Sequence, residues 1–295
     1  MKAGYSTNSF GDVDPLDALS LLCEQGYASL AITPDRNILN PYEKTFASEV
    51  RVWQHALAKA QMRCVVETGA RHLLDSKRKH HPTLLSDAQD DCNRRIEFLR
   101  RAIELAGELN ADCVSLWSGA VCSDADETLL WRKLTDGVGE VLDHASRCGV
   151  VLGFEPEPGM FIDTVALAEE MFERLGRPKS LGLTVDIGHL ECLGERPLAA
   201  TVRDVAHRIV NVHIDDMIVC RHEHLPLGKG DIDYVPIFRE LLAARYQGGL
   251  HVELPRQSHR WYETAKESYE FIPVSYTHLR AHETEADLVC RLLLE

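Results

Sequence analysis

Residues 181–189 read Leu-Gly-Leu-Thr-Val-Asp-Ile-Gly-His, and they combine a strand pattern with residues of metal-binding type. The stretch opens as a short apolar run rich in strand-forming residues, which predicts a buried strand. Asp186 and His189 follow where the strand ends, and Gly188 is expected to let the chain turn sharply between them. A carboxylate and an imidazole that leave a strand together are a potential pair of metal ligands. The alternative is that Asp186 caps the next helix and His189 lies on a loop.

Similar apolar segments alternate with amphipathic helical segments along the whole chain. This alternation predicts an α/β protein with a parallel sheet, and eight repeats predict closure into a single (β/α)8 TIM barrel. An open, doubly wound sheet is the alternative, but no Gly-x-Gly-x-x-Gly motif follows an early strand to support it. The eight predicted strands lie near residues 2–6, 28–32, 63–67, 113–117, 150–154, 181–186, 209–213 and 249–253.

Composition limits the possible partners and the compartment. The formal net charge of −14 argues against a nucleic-acid partner, because phosphate binding needs a basic surface. Nine cysteines without a Cys-x-x-Cys pair predict reduced thiols and a cytoplasmic protein. No signal peptide precedes the first strand, and no apolar run is long enough to span a membrane, so no membrane partner is expected.

The chain divides into a predicted barrel, residues 1–273, and a tail, residues 274–295. The tail does not continue the helical pattern that ends near Phe271, and it resembles the translated read-through of a sequencing adapter. We therefore predict that it is not native. The alternative is a genuine C-terminal helix from Glu283 to Leu294.

One long polar segment, from Thr68 to Ser86, is the only strongly basic stretch of this acidic chain. It is either a solvated loop or a lid that binds an anion above a site, because loops after barrel strands carry function. Its basic residues are Arg71, His72, Lys77, Arg78, Lys79, His80 and His81.

Four consecutive predicted strands end in residues of metal-binding type. In a parallel barrel the C-terminal ends of all strands lie on one face, so these side chains should converge. A set of carboxylates and an imidazole suits one divalent ion such as Mn²⁺, Mg²⁺, Co²⁺ or Zn²⁺. Three carboxylates without a cation would repel one another, which also favours a metal. The four residues are Glu155, Asp186, His213 and Glu253.

These strand endings resemble the xylose isomerase-like TIM barrel superfamily. The resemblance covers nearly the whole chain to about Phe271 and does not identify a substrate. It implies that the four residues above are the metal ligands, and that Glu155 and Glu253 also move protons. The motifs that carry it are Phe154-Glu155-Pro156, Val185-Asp186-Ile187-Gly188-His189, Val212-His213-Ile214-Asp215-Asp216, Leu227-Gly228-Lys229-Gly230-Asp231-Ile232-Asp233 and Val252-Glu253.

The resemblance also assigns residues around the metal. His189 matches a residue that contacts substrate oxygen, or a second metal in the apurinic-site nucleases of the superfamily. His224 matches another nuclease metal position, His222 stands where those enzymes carry an aspartate, and His72 lies near a nuclease histidine. Strand four ends in Trp117 and offers no histidine, which departs from a three-metal nuclease site.

Two further residues are candidates for substrate binding. Glu157 is a rival to Glu155, because strand alternation turns both toward the same side and Pro156 blurs the register. Lys229 and the basic segment are candidates for binding a substrate phosphate or carboxylate. For Lys229 and the basic segment, the alternative is charge that faces solvent without a ligand.

The expected activity is that of a metal-dependent isomerase or epimerase acting on a small sugar, sugar phosphate or keto-acid. A glutamate would remove the proton beside a carbonyl to give an enediolate, and the site of proton return would set the product. The alternatives are an inosose dehydratase-like lyase, an apurinic-site endonuclease-like hydrolase, and a barrel that binds sugar without turnover. A small carbohydrate is the expected partner, and a homo-oligomer is possible.

Overall fold

The computed structural model describes residues 1–121 and 126–272. Within these ranges eight parallel strands close into a barrel in the order β1-β10-β7-β6-β5-β4-β3-β2, which confirms the predicted single (β/α)8 barrel. The two remaining strands, β8 and β9, pair as an antiparallel hairpin. The strands are β1 Lys2–Ser6, β2 Ser29–Ile32, β3 Arg63–Glu67, β4 Val114–Leu116, β5 Leu152–Phe154, β6 Leu181–Asp186, β7 Ile209–Ile214, β8 Asp216–Ile218, β9 Arg221–Leu225 and β10 Gly249–Val252.

The helices alternate with these strands and bury one apolar stripe each. In α4, for example, Leu134, Val138 and Val141 are fully buried and recur at helical spacing. The ends follow from local chemistry: the Asp14 side chain caps α1, and Gly26 closes it with a positive φ of 101°. The helices are α1 Pro15–Gln25, α2 Phe46–Ala60, α3 Gln89–Leu109, α4 Glu127–Cys148, α5 Val165–Arg174, α6 Ile187–Leu193, α7 Leu198–Val205, α8 Tyr234–Ala243 and α9, residues 261–272.

The barrel interior contains polar side chains as well as the expected aliphatic ones. His251 on β10 is fully buried, and its ring contacts Asn211 Oδ1 at 2.8 Å and Ser29 Oγ at 2.9 Å. Two glycines make room for that ring. A Cβ atom on Gly4 would lie 2.4 Å from its Cδ2 atom, and one on Gly249 would lie 2.5 Å from its Nε2 atom.

The turn after β6 differs from the expectation for Gly188. Gly188 lies inside α6, which begins directly after Asp186, and its φ is not positive. The predicted sharp turn is therefore wrong. A glycine is needed here for space instead, because a Cβ atom at this position would lie 1.9 Å from Asp215 Oδ1.

Two other expectations concern the ends and the surface of the chain. The predicted tail, residues 274–295, lies outside the described residues. Within residues 1–121 and 126–272, no helix is both long enough and apolar enough to cross a membrane. The cysteines within these ranges are free thiols: Cys23, Cys64, Cys92, Cys113, Cys148, Cys192 and Cys220.

Candidate metal centre and active site

Four side chains meet where β5, β6, β7 and β10 reach the C-terminal face of the barrel. One ligand atom from each lies within 4.8 Å of the other three. His213 stands at the centre: its Nδ1 atom is 3.1 Å from Glu155 Oε1, 3.1 Å from Glu253 Oε2 and 3.9 Å from Asp186 Oδ2. We call Glu155, Asp186, His213 and Glu253 the ligand cluster. These are the four residues that the strand endings predicted, and the structure brings them together.

The ligand cluster fits a divalent cation. Three carboxylates and one imidazole are a donor set that Mn²⁺, Mg²⁺, Co²⁺ and Zn²⁺ accept. Asp186 is only 2% exposed, and its Oδ2 atom is buried with no hydrogen-bond partner among the described residues. A buried carboxylate oxygen without a partner is costly, so a cation at this position would stabilise it.

Asp186 has two roles that the sequence presented as alternatives. Its Oδ1 atom accepts a hydrogen bond from the backbone N–H of His189 at 3.0 Å and so caps α6. Its Oδ2 atom faces the ligand cluster, 3.9 Å from His213 Nδ1. One carboxylate therefore both begins the helix and offers an oxygen to the site.

The surroundings shift the pKa values of Glu155 and Glu253 in opposite directions. Burial raises the pKa of Glu155 to about 7, although His213 acts in the opposite direction. Burial also acts to raise the pKa of Glu253, but His213 and a hydrogen bond from Asn8 outweigh it and hold that pKa below its usual value. Burial lowers the pKa of His213, yet Glu67, Glu155 and Glu253 raise it well above the usual value.

Glu67, at the end of β3, is a part of the site that the sequence reasoning missed. Its Oε1 atom lies 2.9 Å from His213 Nε2 and accepts a hydrogen bond from Asn211 Nδ2 at 3.0 Å. A carboxylate on the far nitrogen of a histidine orients the ring, and here it turns Nδ1 toward the other residues of the ligand cluster. Glu67 also ends a predicted strand, so its position in the sequence carries the same signal as the other four strand endings.

Asn8 is a second missed residue. It lies in the short 3₁₀ turn Thr7–Ser9 that follows β1, and its Nδ2 atom donates to Glu253 Oε1 at 3.1 Å. This bond fixes one oxygen of Glu253 while the other faces His213. A lone asparagine after a strand has no spacing pattern, so sequence alone offered no signal for it.

Three of the histidines named from the resemblance, His189, His222 and His224, form a second group beside the ligand cluster. His189 is buried, its Nδ1 atom lies 3.3 Å from the carbonyl oxygen of Pro156, and burial lowers its pKa to about 4. The rings of His222 and His224 lie 5.1 and 5.9 Å from that of His189. His224 forms a close ion pair with buried Asp215, which raises the pKa of His224 to about 10 against the effect of burial.

The remaining predicted residues lie outside the ligand cluster. Glu157 lies near His189, with 4.0 Å between Oε2 and Nδ1, and it forms a separate group with Glu155 and His189 in which the ligand atoms lie within 4.8 Å of one another. Lys229 is exposed in the turn after β9. His72 is exposed on the basic segment, whereas His80 of the same segment contacts the Gly69 carbonyl oxygen and packs edge-on against Trp117. The roles assigned to these residues stay predictions.

A cavity of about 770 Å³ opens on the same face, beside β1, β2 and β3. We call it the rim cavity, and its lining consists of Thr7, Phe10, Gly11, Asp12, Val13 and Pro15 together with residues 35–38, 71–72 and 258–259. Thr7 belongs to its lining, and the next residue, Asn8, contacts Glu253. The rim cavity therefore borders the ligand cluster across a single turn of chain.

Comparisons with known proteins agree with this geometry. A family model described as a xylose isomerase-like TIM barrel matches residues 19–273. An uncharacterised protein of Methanocaldococcus jannaschii is 26% identical over 170 residues, which are 54% of this chain and 56% of that relative, so the match spans little more than half of it. An L-ribulose-5-phosphate 3-epimerase, UlaE, of Shigella flexneri serotype 5b is 24% identical over 241 residues, 80% of this chain and 81% of that protein.

A solved structure of an L-ribulose 3-epimerase superposes with a TM-score of 0.76. It shares 19% sequence identity, and the match covers 98% of this chain and 97% of the other. At this level of identity the likeness establishes the shared barrel fold.

Proposed function

The chain belongs to the xylose isomerase-like TIM barrel family, and from this premise we propose that it is a sugar epimerase or isomerase that uses one divalent metal ion. The observation that carries the proposal is the ligand cluster, in which the endings of four strands bring three carboxylates and an imidazole within 4.8 Å. The two relatives described above that have a stated activity are epimerases of a ketopentose or its phosphate, which supports the same class of reaction.

Glu253 is the proposed base. Its pKa is held below the usual value, so its carboxylate is ionised near neutral pH, and Asn8 fixes one of its oxygens. The other oxygen, Oε2, lies 3.1 Å from His213 Nδ1 on the side of the ligand cluster, and it is the proposed acceptor of the proton from the carbon beside a substrate carbonyl. A positioned acid–base group of this kind contributes roughly 10²- to 10⁴-fold to the rate.

Glu155 is the proposed acid. Burial raises its pKa to about 7, so it can hold a proton near neutral pH and return it to the substrate. Two carboxylates whose environments push their pKa values apart are typical of acid–base pairs in enzymes. Return of the proton to the same carbon from the opposite face gives epimerisation, and return to the neighbouring carbon gives isomerisation.

Glu155, Asp186, His213 and Glu253 would hold the metal ion. When bound, the ion supplies Lewis-acid stabilisation of negative charge on substrate oxygen. Contacts from Glu67 and Asn211 support the orientation of the His213 ring. His189 is buried, with its Nε2 atom 3.6 Å from Asp186 Oδ2, and it is the proposed contact for a substrate oxygen.

A metal-dependent hydrolase is the second candidate. The observation that favours it is the group of His189, His222 and His224, which offers one ligand atom each within 4.8 Å of the others. Trp117 at the end of β4 argues against it, since that position supplies no metal ligand. The number of bound ions separates the two candidates, because one ion per chain favours the epimerase and three favour the hydrolase.

Incorporation of solvent deuterium into a ketose tests the proposal. The purified protein is incubated with L-ribulose in D2O, and the mass of the sugar is followed with and without prior removal of metal by a chelator. We expect exchange at the carbon beside the carbonyl, loss of exchange after chelation and recovery with added Mn²⁺. Exchange that survives complete removal of metal would contradict the proposed metal dependence.

A further inference from the structure

A series of buried polar side chains crosses the barrel interior and reaches the ligand cluster. It begins at Ser29 on β2, passes through His251 on β10 and Asn211 on β7, and ends at Glu67 on β3. We call these four residues the polar network. The first three are fully buried, and Glu67 is nearly so. Bulky aliphatic side chains usually fill the interior of such a barrel, so four polar residues in contact need a physical reason.

The contacts of the polar network are all short. Ser29 Oγ lies 2.9 Å from His251 Nε2, and His251 Nδ1 lies 2.8 Å from Asn211 Oδ1. Asn211 Nδ2 donates to Glu67 Oε1 at 3.0 Å. The same oxygen lies 2.9 Å from Nε2 of His213, the imidazole of the ligand cluster. Direct contacts therefore join Ser29 to a proposed metal ligand.

The hydrogen-bonding capacities of these groups fix the direction of each bond. A carboxylate only accepts, so Asn211 turns its amide NH2 to Glu67 and its carbonyl oxygen to His251. That carbonyl oxygen also only accepts, so His251 carries its proton on Nδ1, and its Nε2 atom accepts from the Ser29 hydroxyl. By the same rule His213 donates through Nε2 to Glu67, and its Nδ1 atom faces the ligand cluster.

The members of the polar network satisfy one another. Each side-chain nitrogen and oxygen atom of Ser29, His251 and Asn211 has a hydrogen-bond partner. A buried network in which all members are paired is rigid, whereas the loss of one member leaves a buried group unpaired. Without His251, Asn211 Oδ1 would have no donor, and the amide would lose the contact that fixes its orientation.

The packing around His251 confines its ring as closely as the hydrogen bonds do. Its neighbours in the parallel ladder are Gly4 on β1 and His213 on β7. A Cβ atom on Gly4, or on Gly249 of the same strand, would lie within 2.5 Å of the ring. A glycine inside a strand often marks a place where another group approaches the backbone closely. Here two glycines admit the imidazole.

We infer that His251 is a positioning residue of the active site, which acts by orienting the Asn211 amide. The amide in turn holds Glu67 against His213, so that Nδ1 of His213 is directed into the ligand cluster. This inference rests on the proposed function, and it adds His251 and Ser29 to the residues on which the metal centre depends.

The metal affinity of two His251 variants tests the inference. Competition with a chelator for Mn²⁺ compares the wild type with His251→Phe and His251→Asn. Phenylalanine keeps an aromatic ring but has no donor, so we expect the affinity to fall by about tenfold or more, as is typical when an outer partner of a metal ligand is lost. Asparagine carries an amide nitrogen at the same number of bonds from the backbone as Nδ1, so His251→Asn should retain most of the affinity. Wild-type affinity in His251→Phe, or equal losses in both variants, would overturn the inference.

A smaller change tests the far end of the polar network. Ser29→Ala removes one oxygen atom and should weaken Mn²⁺ binding, although less than His251→Phe does. Thr184→Val is the matched control, because Thr184 on β6 is also fully buried but its hydroxyl has no hydrogen-bond partner among the described residues. The control should bind Mn²⁺ as the wild type does. Equal effects of the two substitutions would contradict a role for Ser29.

The tautomer of His251 tests the inference without metal or substrate. NMR of the protein labelled with ¹⁵N-histidine shows which ring nitrogen carries the proton, and the signals that are missing in His251→Asn identify this ring. We expect the proton on Nδ1. A proton on Nε2 would overturn the inference, because Asn211 would then have to turn its NH2 group away from Glu67. If the wild type neither bound Mn²⁺ nor exchanged deuterium into a ketose, the proposed function would fail, and the tautomer would still decide whether His251 orients Asn211.

Discussion

The two halves of the barrel mouth differ in burial and in charge. On one half, the residues that end β5, β6, β7 and β10 place three carboxylates around one imidazole, with Asp186 and His213 each 2% exposed. On the other half, the loops after β1, β2 and β3 line an open cavity of balanced charge, which residues 258–259 complete from the side of β10. The first half has an excess of negative charge that calls for a cation, whereas the second offers mixed donors and acceptors.

This difference assigns separate tasks to the two halves. Strand ends are held by ladder hydrogen bonds and packing, so they fix reacting groups within narrow limits. Loops have fewer such constraints, and they suit the recognition of the variable part of a substrate. Substitutions on the ligand half should therefore reduce turnover or metal affinity. Substitutions on the cavity half should change the preference between substrates, or change the free energy of unfolding only slightly.

The largest effect is expected for Glu253→Gln on the ligand half. The amide keeps the shape and one oxygen for the metal but cannot accept the proton, so turnover should fall roughly 10²- to 10⁴-fold. Deuterium incorporation into L-ribulose measures the loss. Glu157→Gln is the comparison variant, because Glu157 is outside the ligand cluster but lies within 4.8 Å of Glu155 and His189 through their ligand atoms. A larger loss in Glu157→Gln than in Glu253→Gln would assign the base to Glu157.

Glu67→Gln should have a smaller effect on the same half. The variant keeps the side-chain volume but removes the negative charge beside His213 Nε2, so the ring is less firmly held in the tautomer that presents Nδ1. Loss of such an orienting partner typically costs about 10- to 100-fold in metal affinity or activity. Competition with a chelator of known affinity measures the change, and an unchanged affinity for metal would show that Glu67 only packs.

A pH dependence of about 1 kcal/mol is expected from His80, which lies between the two halves. Burial lowers its pKa to about 4, against 6.5 when unfolded, so the unfolded chain binds more protons between these values. The free energy of unfolding that His80 contributes is therefore complete above pH 6.5 and is lost as the pH falls toward 4. At pH 5 the loss is about 1 kcal/mol after allowance for partial exposure.

The variant His80→Asn tests this contribution. Asparagine keeps an N–H donor for the Gly69 carbonyl oxygen and tolerates the positive φ of 66° at this position. Denaturant unfolding at pH 7 and pH 5 should show a smaller loss for His80→Asn than for the wild type. His55→Asn, on the exposed face of α2, is the control and should retain the wild-type loss.

The smallest effect is expected for Arg71→Ala on the cavity half. The ion pair with Asp35 spans 3.5 Å, and the Arg71 side chain is 49% exposed. Exposed pairs of this kind contribute about 0.2–1 kcal/mol to the free energy of unfolding. Urea unfolding at pH 7 should therefore show a change within this range, and a loss of several kcal/mol would mean that the cavity half is as tightly coupled as the ligand half.

The fold and the four ligand residues were predictable because they follow from repeated patterns. Alternating strands and helices predict the barrel. Because the C-terminal ends of parallel strands lie on one face of a barrel, the residues at those ends are expected to meet there, and these are Glu155, Asp186, His213 and Glu253. Asn8 was not predictable, since its contact with Glu253 joins residues 245 positions apart in the chain. Gly188 was misinterpreted because the sequence does not reveal that Asp215 packs against its Cα atom.

The metal content of the wild type and of Asp186→Ala is the measurement on which the assignment of the site depends. Asp186 offers a buried oxygen without a hydrogen-bond partner, and both its position and its chemistry favour a cation. Elemental analysis by mass spectrometry should find about one divalent ion per wild-type chain and almost none in a folded Asp186→Ala variant, as expected for a single site whose ligands come from four strands. Full metal content in Asp186→Ala would contradict the site.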